Sequence, residues 1–93
     1  MGKDWLFNEP PDLAVITTQR VLSNRFPILL VSHDDDGGWQ FLDGVPSETD
    51  DVRIVSLHRI ITLDPTIQDL ASLPPGKQAW RENRSELWQK TDT

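Results

Sequence analysis

Ninety-three residues are enough for one compact core and too few for two, so a single domain is expected over residues 1–93, burying roughly 60 to 65 % of its unfolded surface. Apolar residues at 37 % and charged residues at 26 %, with four tryptophans, describe a chain that folds. The lack of cysteine removes disulfides, thiolate metal sites and cysteine nucleophiles. A net charge of −6, with Asp34, Asp35, Asp36, Asp43, Glu48, Asp50 and Asp51 uninterrupted by any lysine or arginine, argues against direct binding to phosphate backbones.

In chain order, residues 1–11 read as an irregular entry, closed by the Pro10-Pro11 pair. Leu13-Ala14-Val15-Ile16 predicts a short strand, and Thr17 or Thr18 caps a helical turn from Gln19 to Ser23. Ile28 to Ser32 is apolar on both faces and predicts a central buried strand, paired in a hairpin with the alternating stretch Trp39-Gln40-Phe41-Leu42. Residues 44–51 carry Gly44, Pro46 and polar side chains and predict a surface loop. Val52 to Val55 is another strand, after which Ser56 caps a short helix through Leu57-His58-Arg59-Ile60-Ile61-Thr62-Leu63. Asp64 is a natural helix cap, Pro65 occupies the first helical position, and Pro74-Pro75-Gly76 stops that helix. At the end, Trp80 with Leu87 and Trp88 fits a helical face, whereas Ala79 to Glu82 fits a last strand; a strand followed by an irregular tail over 84–93 is preferred. The sum is an α+β domain with a mainly antiparallel sheet of four or five strands and two or three short helices on one face. Its expected core is Val15, Ile16, Val21, Ile28, Leu30, Val31, Phe41, Ile54, Leu57, Ile60, Ile61, Ile67 and Leu70.

The stretch from Val31 to Phe41, VSHDDDGGWQF, concentrates the residues that chemistry uses. A calcium loop needs glycine at its sixth position and glutamate at its twelfth, and counting from Asp34 those positions hold Trp39 and Val45. Ser32-His33-Asp34 names the members of a hydrolase triad, but neighbours on a strand point to opposite faces. His33 and His58 match no metal-ligand spacing, and no metal or cofactor is expected. A turn suits the stretch best, with Gly37 and Gly38 supplying positive φ. Trp39 is expected to cover one sheet face as core, while Trp5 and Trp88, near the ends, are candidate exposed anchors.

The order of an aspartate-rich turn, Gly38-Trp39-x-Phe41 with Gly44, then Asp64-Pro65, Leu73-Pro74, Gly76, Ala79 and Arg81 resembles a family of small bacterial proteins of unknown function grouped with immunity proteins of polymorphic toxin systems. The resemblance implies a protein-binding role and carries over no catalytic residues. Trp39, Gly44, Asp64, Pro65 and Gly76 all have structural explanations within it.

Composition favours binding over catalysis, since two histidines and no tyrosine or cysteine leave little acid–base chemistry. The first expectation is therefore a non-enzymatic domain, immunity-type, that docks a basic protein through Asp34, Asp35, Asp36, Asp43, Glu48, Asp50 and Asp51 with Trp5 or Trp88 as anchor. The alternative is a ligand-binding or enzymatic pocket around His33, Asp36 and Arg81. No stretch approaches the roughly 18 apolar residues of a membrane span, so a cytoplasmic protein, monomeric or weakly self-associating, is expected.

Overall fold

A computed structural model describes residues 5–45 and 49–90. The fold is α+β. Six strands form one sheet in the order β4-β1-β3-β2-β5-β6, with β1 Ala14–Thr18, β2 Leu30–His33, β3 Trp39–Leu42, β4 Val52–Ser56, β5 Lys77–Trp80 and β6 Gln89–Lys90. The sheet is mixed, because β1 runs parallel to β3 with Ile16 opposite Gln40, while every other neighbouring pair is antiparallel. It therefore has more strands than expected, and one of them, β6, forms within the stretch read as irregular tail.

Local chemistry sets the element boundaries. The Thr18 hydroxyl accepts from Val21 N and starts α1, Gln19–Leu22; the Ser56 hydroxyl accepts from Arg59 N and starts α2, Leu57–Leu63. Asp64 Oδ1 accepts from Thr66 N at 3.1 Å, and Pro65 follows at the first helical position. The helix it opens, Pro65–Leu70, is a 3-10 helix rather than an α-helix. Its Ile67 and Leu70, three apart and therefore stacked on one side of a 3-10 turn, are both buried. Gly76, at φ +84, and Gly44, at φ +84, turn the chain before β5 and after β3, a conformation that a Cβ disfavours.

The α2 helix and the 3-10 helix pack against one sheet face. Val15, Val31, Trp39, Phe41 and Ala79 point from the sheet into a core closed by Leu57, Ile60, Ile67, Leu70 and Leu73, with Phe7 and Val21 at its margins. Thr17 joins this face, its buried hydroxyl donating to Phe41 O at 2.7 Å. The expected core requires correction at Ile16 and Ile54, which are 36 % and 70 % exposed. They are cross-strand neighbours on the opposite face, and among the described residues no helix covers it. Leu30 and Ile61 are half-buried for related reasons: Leu30 shares the open face, and Ile61 packs at the core margin.

Candidate functional site

The aspartate stretch forms the β2–β3 turn. Asp34 N donates to Gly38 O at 2.7 Å and Gly37 N to Asp34 O at 2.9 Å, with Gly37 at φ +94. Gly38 does not take the positive φ expected of it; instead its N–H is held by Asp36 Oδ1 at 3.0 Å. Asp34 is tied to the strands it joins, accepting from Ser32 Oγ and Gln40 Nε2, both at 3.0 Å. Asp35 and Asp36 are exposed at the tip. The carboxylates thus organise a turn, and among the described residues no group of three or more metal-type ligands gathers.

The remaining acids lie at the other end of the sheet. Asp43 follows the last residue of β3, so the four-residue strand separates it from the turn by about 13 Å. Its side chain is only 1 % exposed and receives Arg20 Nε at 2.6 Å and Nη2 at 3.3 Å in a two-pronged pair, while Arg20 Nη1 reaches Asp51 Oδ2 at 3.4 Å. Burial pushes the Asp43 carboxyl up, but hydrogen bonds from Arg20 and from Val45 N outweigh it and hold the group below its ordinary range. The same hydrogen bond holds the Arg20 guanidinium more firmly protonated. The expectation that Asp43 belongs to an exposed acidic surface is corrected: it is an interior ion-pair partner, and its base comes from α1, outside the uninterrupted acidic run. Asp50 is exposed, Asp51 is half-buried beside Arg20, and Glu48 lies outside the described residues.

Arg81 anchors the fold. Its guanidinium, in a residue 3 % exposed, donates to Asp64 Oδ2 at 2.6 Å, to Ile28 O at 2.9 and 3.1 Å, and to Thr66 Oγ1 at 3.1 Å, and lies 4.1 Å over the Trp88 ring. His33 is opposite Lys77 and Trp39, near the turn, whereas Arg81 follows Trp80, which is opposite Leu30. The structure therefore does not bring His33, Asp36 and Arg81 into one pocket. His33 Nδ1–H donates to Leu73 O at 2.6 Å, its ring stacks on Trp39 at 3.9 Å, and its Nε2 is 3.9 Å from Glu9 Oε2, which accepts from Trp39 Nε1 at 3.0 Å. These are the contacts of a histidine serving as core.

Trp5 and Trp88 are not freestanding anchors. Trp5 is half-buried against the core and donates to Glu9 O at 2.7 Å, and Trp88 is half-buried beneath Arg81. The apolar surface lies elsewhere. On the open sheet face Ile54 is opposite Ile16, Val52 is opposite Thr18, and Leu30 lies between Leu42 and Trp80. Val52 is 43 % and Trp80 40 % exposed. The alternation in AVITT and VRIVS places these residues on a common face, but only the tertiary structure shows that this face is the uncovered one. No helix among the described residues is long and apolar enough to cross a membrane. No family model matches the chain, and neither a curated protein nor a solved structure matches it.

Proposed function

We propose that this chain is a non-enzymatic protein-binding domain, acting in the cytoplasm, whose contact area is the open face of its sheet. The observation that carries the reading is the apolar set Val52, Ile54, Ile16, Leu42, Leu30 and Trp80 on a face that no described helix covers. Monomeric domains rarely leave such a set facing water, and a patch rimmed by charge is the usual form of an interaction surface. Trp80 takes the anchoring role for which Trp5 and Trp88 had been candidates. Exposed Asp35 and Asp36 rim one end of the sheet and Asp50 the other, which suits a partner carrying basic residues around an apolar centre. An immunity-type inhibitor of a basic toxin fits that description.

The test is capture of a partner on the immobilised chain, followed by association kinetics over a range of salt. The rate is expected to fall as salt rises and to fall when Asp35 and Asp36 become asparagine. A salt-independent rate refutes the electrostatic part of the proposal.

A further inference from the structure

β4 is an edge strand, paired with β1 on one side only. Leu57 N donates to Leu13 O at 2.9 Å, which fixes the phase of the ladder: Val55 with Val15 and Arg53 with Thr17 are the hydrogen-bonded pairs. The main-chain groups of Val52, Ile54 and Ser56 therefore point outward. In agreement, Val52 O is reached from outside, by the Arg53 guanidinium at 2.9 Å, which also bonds Asp50 O. The Ser56 carbonyl belongs to the first turn of α2. What the edge offers a neighbour is then the Ile54 N–H and C=O, the Ser56 N–H, and the Val52 C=O once Arg53 swings aside.

That set is self-complementary. We propose that β4 is the seam of an antiparallel homodimer centred on Ile54. In this register Ile54 exchanges both hydrogen bonds with the partner's Ile54, and each Ser56 N–H meets the partner's Val52 C=O. The 70 % exposed Ile54 side chain is covered by its own copy. Long exposed edges are normally blunted by charge, and here the only described cover is the single Arg53 side chain. Pairing would join the two open faces into one surface, and it stands whether or not a second protein docks there.

Sedimentation velocity of the full chain, from micromolar to near-millimolar concentration, tests the seam. The wild type is expected to convert to dimer. Ile54→Lys, at a position exposed enough to leave the fold intact by circular dichroism, should weaken self-association by about tenfold or more. A wild type monomeric at every concentration overturns the proposal. So does a dimer that survives Ile54→Lys but is lost in Trp80→Lys, which would mean that two open faces stack instead.

Discussion

Replacing Arg81 by methionine removes the charge from a buried, multiply bonded side chain while keeping much of its aliphatic bulk against Trp88. Asp64 Oδ2 then loses its partner at 2.6 Å, in a side chain only 5 % exposed, and Ile28 O loses both of its guanidinium donors. Thr66 still donates to the other carboxylate oxygen, but it supplies no positive charge. Breaking a buried pair by removing one partner costs about 3 to 5 kcal/mol. A 93-residue domain has about 5 to 14 kcal/mol in all, so the variant should lose about a fifth of its stability or more. In urea that is a midpoint lower by about 2 to 3 M at a slope of about 1.5 kcal/mol/M. Asp64→Leu alone should also be costly, because it strands Arg81 and removes the helix cap; the double variant should lose much less than the two singles added together. A midpoint shift below about 0.5 M, or strict additivity, refutes the claim that this pair locks β5 to the 3-10 helix.

Trp39→Ala should cost about 3 to 5 kcal/mol, the range for a fully buried aromatic, since its ring touches His33, Phe41 and Phe7; a loss under about 1 kcal/mol in chemical denaturation contradicts that. The Asp43 carboxyl is depressed in the folded state, so its stabilisation is present above the unfolded value of about 3.9 and disappears as pH falls through the lower folded value. The stability gap between wild type and Asp43→Asn should therefore narrow as denaturation is repeated from pH 7 downward through this acid range. Gly76→Ala should destabilise by about 1 to 2 kcal/mol from its φ of +84, and its Cβ would sit 2.5 Å from Asp35 Oδ1; thermal melting should place it below Gly37→Ala, whose Cβ meets nothing. Changing Asp34, Asp35 and Asp36 together to asparagine should move stability by less than about 1 kcal/mol, because Asp35 and Asp36 are exposed and asparagine at position 34 keeps one of the two acceptors that Ser32 and Gln40 use. A larger loss would mean that the turn depends on the charges themselves.

The features legible in the sequence are those decided within a few residues. Thr18, Ser56 and Asp64-Pro65 start helices because a side-chain oxygen reaches a nearby N–H, and the β2–β3 hairpin closes around a glycine turn. What sequence reasoning missed depends on distant partners. Asp43 reads as one acid in a run, and only the fold brings it Arg20, 23 positions away. Arg81 reads as a pocket cation, yet Asp64, 17 positions away, makes it a lock. Ile16 and Ile54 are apolar and alternate correctly, but alternation gives two faces without saying which one the helices cover, so sequence alone places both in the core, where the fold leaves them exposed. The parallel β1–β3 pair and the short β6 are likewise tertiary events with no local signal. Phe7 and Leu73 enter the core from segments dominated by polar residues and proline, where no periodicity marks them.

The central claim is that the open sheet face is the binding surface. Its most direct test is to capture partners from an extract of the cells that make the protein, comparing the wild type with Ile16→Ser/Trp80→Ala, a change confined to exposed side chains and verified as folded. The account predicts that a stoichiometric basic protein is retained by the wild type and lost from the variant. Equal retention by both, or no stoichiometric partner on the wild type, would contradict it.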